Sequence, residues 1–128
     1  MAAAPSNSAA DLLAKHLIKQ VPKSQILRFY ALSRLEKLIP EDIMEISNFH
    51  ASHPTTMEDL MKYRIIVVTL ITAGRLAGAG FPSDHFTHVF VDEAGHATEP
   101  EAIIPLANIL SKVIENAQWN VLQGFVWL

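Results

Sequence analysis

Residues 63–70 read YRIIVVTL, and this nearly continuous β-branched run is the strongest indication of the fold class. A strand that is apolar along its whole length is typical of a parallel sheet whose two faces are both covered. Residues 88–91, HVFV, form a second run of this kind. Helical patterns alternate with the strands, so the sequence predicts an α/β domain with a mainly parallel sheet flanked by helices.

The N-terminal region adds one helix and one strand to this pattern. Polar N-cap candidates at residues 5–8 precede an amphipathic helix over residues 9–19, with Asp11 in its first turn. Residues 25–30 alternate and are rich in β-favouring side chains. They predict a short strand that follows the helix.

Two further segments surround the run at residues 88–91. Residues 72–80 contain three glycines and predict a short helix or a flexible connection. Thr98 and Glu101 have the spacing of a capping box, which predicts a helix over residues 102–112.

Composition and charge exclude several classes of protein. The formal net charge is −3 and the pI is near 6.0, so no global field attracts this chain to nucleic acid, and any RNA contact has to be local. Because the chain has no cysteine, disulfides and thiolate metal sites are excluded. The sequence shows no signal peptide and no apolar run of membrane-spanning length. We therefore expect a protein of the cytoplasm that has no membrane partner.

The pair Asp92 and Glu93 directly follows the second buried run. In nucleotide hydrolases, a strand that ends in two carboxylates can place one near Mg²⁺ and leave the other to orient or deprotonate the attacking water. Such a dipeptide is also common in solvated turns near helix N-termini. The pair alone leaves both interpretations open.

Three segments together resemble one family. Residues 86–101, FTHVFVDEAGHATEPE, resemble the Walker B segment of Armitage-type RNA helicases, the Upf-like branch of superfamily 1. Residues 5–13, PSNSAADLL, resemble motif Ia of that family, and residues 63–76 resemble its next nucleic-acid-contacting segment. The segments occur in the family's order. The resemblance implies a fragment of the first RecA-like P-loop NTPase domain, from motif Ia through Walker B.

For the nucleotide, the resemblance implies that the complete enzyme uses ATP and Mg²⁺. Asp92 would bind the metal through water and Glu93 would be the catalytic base. Asp92 and His96 would lie at the nucleotide, although His96 stands where many superfamily 1 proteins carry glutamine.

For RNA, the resemblance implies ATP-driven 5′ to 3′ translocation and unwinding. Ser6, Asn7, Ser8, Thr69 and Thr72 would contact the backbone of single-stranded RNA or of a duplex with an overhang. Small hydroxyl and amide side chains at strand ends can bind phosphates in this way. The alternative for residues 6–8 is simple helix capping. Ribonucleoprotein or RNA-silencing proteins are the implied partners, and ribonucleoprotein granules are an implied location.

The sequence also lacks motifs that an ATP-driven motor requires. No G-x-x-x-x-G-K-S/T phosphate loop occurs, and residues 113–128 depart from the family's Gly-Asp-Pro-x-Gln region. We therefore expect a partial motor domain at residues 1–112, a divergent tail at residues 113–128, a sheet that lacks inner strands, and no ATPase activity by this chain alone. A non-catalytic RNA- or protein-interaction module and an incomplete gene model are the alternatives.

Overall fold

The computed structural model describes residues 1–50, 56–82, 84–108 and 125–127. Its central element is a five-stranded sheet in which every pairing is parallel, in the order β2-β3-β1-β4-β5. The strands are β1 (Ala2–Ala4), β2 (Ile26–Arg28), β3 (Ile65–Thr69), β4 (Val89–Val91) and β5 (Phe125–Trp127). The α/β class with a parallel sheet, predicted from the buried runs, is confirmed.

Helices connect these strands. They are α1 (Asn7–Leu17), α2 (Glu41–Met44), α3 (Met57–Leu60), α4 (Leu70–Gly78) and α5 (Glu99–Ile103). Short 3-10 segments lie at Lys23–Gln25, Glu36–Leu38, Ala94–His96 and Ile104–Asn108. None of the helices in the described part of the chain has the length and apolar character that crossing a membrane requires.

The two faces of the sheet bury two separate cores, as side-chain alternation in strands requires. Val67 faces the core formed with α1 and α2, whereas Ile66 and Val68 face the core formed with α4. All three of these β3 side chains are fully buried. The domain is therefore a helix–sheet–helix sandwich around β3.

The first strand, β1, was not predicted. The sequence predicted a helix almost at the start of the chain, yet Ala2–Ala4 pairs with both β3 and β4 in the centre of the sheet. Alanine has a low strand propensity, but pairing on both sides and complete burial override that preference. The small side chains also let α1, through Ala10 and Ala14, approach the sheet closely.

The expectation that the sheet lacks the strand after Walker B is corrected by β5, which pairs in parallel with β4. At the other end of the sheet, the outer edge of β2 is partly paired, because Arg28 forms an isolated parallel β-bridge with Ser47. The proposed boundary between residues 112 and 113 stays a prediction, because residues 109–124 lie outside the described residues.

The helix predictions are confirmed with changed limits. Helix α1 begins at Asn7 with Ser6 as its N-cap, so Asp11 does not lie in the first turn as expected. Helix α4 settles the open choice at residues 72–80 in favour of a helix. The capping box is present at α5, but the α-helical geometry changes to 3-10 at Ile104, and residues 109–112 lie outside the described residues.

Close packing between α4 and the segment Ile104–Asn108 requires glycine at position 74. A Cβ on Gly74 would lie 2.6 Å from Ile104 Cγ2, whereas one on Gly78 in the same helix would meet nothing within 4 Å. A Gly→Ala change gains at most about 1 kcal/mol of helix propensity at either position, and less at Gly78, the last residue of α4. We expect Gly74→Ala to be less stable than Gly78→Ala by about 1–3 kcal/mol, the usual cost of overpacking.

Urea denaturation of the two variants measures this difference, with Gly78→Ala as the matched control. Equal free energies of unfolding would show that α4 does not press on Ile104 as described.

Candidate functional site

Side chains from three neighbouring strands meet at one edge of the sheet. Because all strands are parallel, the carboxyl ends of β1, β3 and β4 lie together; Ala4 pairs with Thr69, and Ala3 pairs with Val91. The segment after β1 leads to Ser6 and Asn7, and β4 leads to Asp92. Ligand sites of open parallel sheets form at this edge.

Three of the five predicted RNA-contacting residues line one cleft at this edge. We call it the carboxyl-edge cleft; it has a volume of about 340 Å³. Its lining residues are Asn7, Ala31, Ser33, Arg34, Leu35, Leu38, Thr69 and Thr72. Ser6 and Ser8 are exposed but are not among these lining residues.

Ser6 and Thr69 cap the two helices that begin at this edge. The Ser6 hydroxyl accepts a hydrogen bond from the Ala9 N–H at 3.1 Å, so the capping alternative for Ser6 is confirmed. Thr69 Oγ1 accepts from the Thr72 N–H at 3.3 Å and lies 2.8 Å from Thr72 Oγ1. The two threonine hydroxyls are thus held as a pair at the start of α4.

A buried ion pair beneath the cleft was not predicted from the sequence. Arg28 Nε donates to Asp11 Oδ1 at 2.8 Å, and the Arg28 side chain is 0% exposed. Its Nη1 donates to the carbonyl oxygens of Phe29 and Val67, at 3.1 and 3.4 Å. The pair therefore joins α1 to the two strands β2 and β3.

Tyr30 completes this buried cluster. Its hydroxyl donates to Asp11 Oδ1 at 2.6 Å, and the Arg28 guanidinium carbon lies 3.9 Å from the centre of its ring. Burial, and then the hydrogen bond to Asp11, raise the pKa of Tyr30 above its usual value. Burial lowers the pKa of Arg28, although guanidinium remains a cation in proteins.

Arg28 also sets the orientation of the Asn7 amide. Arg28 Nη2 donates to Asn7 Oδ1 at 2.9 Å. Because arginine can only donate, the oxygen of the amide has to face Arg28 and the NH₂ group is left for another acceptor. Asn7 lines the carboxyl-edge cleft, so it offers a donor to that cleft.

Asp92 and Glu93 occupy the turn directly after β4. Asp92 Oδ1 accepts from the Glu93 N–H at 3.0 Å, and Glu93 has a left-handed backbone with φ of 52°. Such a conformation is uncommon outside glycine, and strained backbone of this kind occurs at functional sites. The ring of His96 is exposed, with Nδ1 3.8 Å from Glu93 Oε2.

These carboxylates fit part of a nucleotide site. Within the described ranges, no group of three His, Cys, Asp or Glu side chains could hold a metal by itself. Mg²⁺ commonly binds to one or two carboxylates, water and substrate phosphates, and Asp92 offers such an oxygen ligand. The set therefore fits water-mediated Mg²⁺ that is held mainly by a nucleotide, and not a metal cage made by the protein.

A larger groove lies at the opposite, amino edge of the sheet. It has a volume of about 670 Å³ and a mostly apolar lining that includes Met1, Phe86 and Phe90. None of the predicted site residues lines it. The carboxyl edge, with its polar side chains, remains the better candidate.

Sequence reasoning missed Asp11, Arg28, Tyr30 and Arg34 as parts of the site. One signal was available, because Asp11 lies next to Ala10 and three residues before Ala14, on the small-residue face that packs against the sheet. A charged residue on that face needs a buried partner. The Arg28 guanidinium inside an apolar strand is that partner.

The chain matches known proteins over most of its length. A family described as AAA domain matches residues 50–114. The mov-10-B.1 protein of Danio rerio is 50% identical over 115 residues, which are 87% of this chain and 11% of that protein. For the MOV-10 protein of Gallus gallus the identity is 44% over 115 residues, covering 87% and 12%.

The RNA helicase Mov10l1 of Homo sapiens is 40% identical over 108 residues, which are 80% of this chain and 8% of that protein. The word helicase stands in the names of all three relatives. This chain spans between 8% and 12% of their lengths.

The buried pair gives a direct stability test. Asp11→Leu or Arg28→Met should each lower the free energy of unfolding by about 3–5 kcal/mol, because each leaves one buried charge without its partner. The double variant should lose less than the sum of the two, with an interaction energy of about 0.5–3 kcal/mol in urea denaturation.

The exposed pair Lys15 and Asp42, whose charged atoms lie 3.0 Å apart, is the control. Asp42→Leu should cost at most about 1 kcal/mol. If Asp11→Leu were as mild as Asp42→Leu, the buried pair would not hold α1 on the sheet.

Proposed function

Because this chain belongs to the AAA domain family and is a piece of the helicase domain of an Armitage-type superfamily 1 RNA helicase, we propose that it supplies the RNA-binding edge of an ATP-driven motor. The complete motor would hydrolyse ATP, translocate 5′ to 3′ and unwind RNA. One observation carries the proposal. Asn7, Thr69 and Thr72 line one cleft at the sheet edge where β4 ends in Asp92 and Glu93.

The chemistry of the carboxyl-edge cleft suits an RNA backbone. Asn7 offers an NH₂ donor, the paired threonines offer hydroxyl groups, and no acidic side chain lines the cleft. Contacts of this kind to phosphate and sugar fix the position of a strand without reading its sequence. A motor that moves along RNA requires this kind of contact, because each step brings a different base.

For the nucleotide, we assign Asp92 to Mg²⁺ through a water molecule and Glu93 to the base that accepts a proton from the attacking water. When bound, Mg²⁺ with ATP would neutralise the phosphate charge. The Glu93 side chain is 47% exposed, so a water molecule can reach its carboxylate. His96 lies beside Glu93 and is the neighbour that could sense the phosphates.

The two halves of the site are joined by the sheet itself. Asp92 N–H donates to the carbonyl oxygen of Ala3 at 2.9 Å, and Ala3 lies four residues before Asn7 in the chain. A displacement of the β4 end on nucleotide binding would therefore act directly on β1. This hydrogen bond would couple the proposed nucleotide residues Asp92 and Glu93 to the carboxyl-edge cleft.

We propose that the RNA ligand is single-stranded or a duplex with an overhang. From the family resemblance we also propose ribonucleoprotein or RNA-silencing proteins as partners, and the cytoplasm, including ribonucleoprotein granules, as the location.

RNA binding tests the cleft through a change of one side-chain group. Asn7→Asp keeps an oxygen acceptor for Arg28 but replaces the NH₂ donor with a second oxygen, so a phosphate would meet a negative charge. Loss of a hydrogen bond to a charged group costs about 1.5–3 kcal/mol, so affinity for a labelled single-stranded oligoribonucleotide should fall about tenfold or more. Fluorescence anisotropy measures the dissociation constant.

Ser24→Asp is the charge-matched control, since Ser24 is exposed and lies just before β2, at the amino edge of the sheet. It should change affinity by less than about twofold. Equal losses in both variants, or no loss for Asn7→Asp, would rule out the cleft as the RNA site.

ATP turnover tests the nucleotide half. We predict that this 128-residue chain has negligible ATPase activity, because its sequence contains no phosphate-binding loop. The Glu93→Gln chain gives the background rate in a phosphate-release assay. Steady Mg²⁺-dependent turnover that Glu93→Gln abolishes would contradict the prediction and would show that these residues hydrolyse ATP without such a loop.

A further inference from the structure

One cation beside the carboxyl-edge cleft has no acidic partner. Arg28 is paired with Asp11, whose Oδ1 also accepts from the Tyr30 hydroxyl. The second guanidinium, that of Arg34, lies 5.9 Å from the centre of the Tyr30 ring. Within the part of the chain that the structure describes, no carboxylate lies within ion-pair distance of Arg34. The cluster therefore carries one positive charge in excess.

The Arg34 guanidinium is also held in place, and some of its N–H donors remain unused among the described residues. Its Nη2 donates to the Leu38 carbonyl oxygen at 2.8 Å, which fixes the guanidinium against the 3-10 turn at Glu36–Leu38. Its Nε is buried and finds no hydrogen-bond partner among the described residues. Of the five N–H donors of the guanidinium, one is used by Leu38 and the Nε–H is enclosed, so the Nη–H donors are the ones left for an acceptor in the cleft.

The other donors of the cleft converge with this cation. Asn7 turns its NH₂ away from Arg28, and Thr72 contributes a hydroxyl next to Thr69. All of these side chains, with Arg34, line the same cleft of about 340 Å³, whose lining includes no Asp or Glu. A fixed cation with neutral donors around it complements a compact anion that has several acceptor oxygens.

We propose that Arg34 binds one phosphodiester group of the RNA strand in the carboxyl-edge cleft. This inference rests on the proposed function and adds the charged residue that the sequence analysis did not include. The exposed side chains of Leu35 and Leu38 border the cleft and give the ribose next to that phosphate an apolar surface.

The salt dependence of RNA binding tests this role. Each phosphate that is neutralised on a single strand contributes about 0.7 to the slope of log K against log salt concentration. Arg34→Gln should reduce the magnitude of that slope by about 0.7 for a 12-nucleotide oligouridylate. Arg34→Lys should retain the slope with weaker binding, because it keeps the charge and loses the planar donors.

Lys37→Gln is the matched control, because Lys37 is an exposed cation in the same segment and does not line the cleft. Its slope should equal that of the unmodified chain. A lower affinity of Arg34→Gln with an unchanged slope would show that Arg34 only supports the loop, which overturns the inference and leaves the RNA cleft standing. If the unmodified chain binds no RNA, the proposed function fails and this inference fails with it.

A second measurement needs no variant. In ¹⁵N NMR spectra of the unmodified chain, the Nε–H signal of Arg34 should shift when RNA is added, whereas that of Arg28, bonded to Asp11, should shift less. An unmoved Arg34 signal at RNA saturation would overturn the inference.

Discussion

The ion pair between Arg28 and Asp11 is the interaction on which the candidate site depends. Placing a guanidinium inside a parallel sheet is costly, and this structure offsets the cost with a carboxylate, two backbone carbonyl groups and the Asn7 amide. The same contacts draw the start of α1 onto β2 and β3. The packing of α1 on the sheet and the orientation of the Asn7 amide thus have one common cause.

The parallel arrangement of the sheet accounts for the rest of the site. Since β1, β3 and β4 run in one direction, the segments that resemble helicase motifs finish at one edge although they are distant in sequence. The carboxylates proposed for the nucleotide and the cleft proposed for RNA then belong to neighbouring strands. In the proposed function, coupling between ATP and RNA would pass from β4 to β1, which the hydrogen bond from the Asp92 N–H to the Ala3 carbonyl oxygen joins directly.

The sequence was informative where local pattern and global structure agree. The apolar run around Val67 predicted strand β3, and the register then places Asn7, Thr69 and Thr72 at one cleft. It was uninformative for Ala2–Ala4, because three alanines have no strand signature and only pairing on both sides makes them a strand. Arg28 and Arg34 were missed for a similar reason. Their importance arises from contacts with residues distant in the chain, which no local pattern records.

In the proposed function, Arg28 holds the Asn7 amide so that the carboxyl-edge cleft receives an RNA phosphate. A crystal structure of this chain with a short single-stranded oligoribonucleotide tests it most directly. We expect a phosphate oxygen about 3 Å from Asn7 Nδ2, with the hydrogen bond from Arg28 Nη2 to Asn7 Oδ1 retained. RNA bound in the groove at the amino edge, or an Asn7 side chain turned away from Arg28 in the complex, would contradict it.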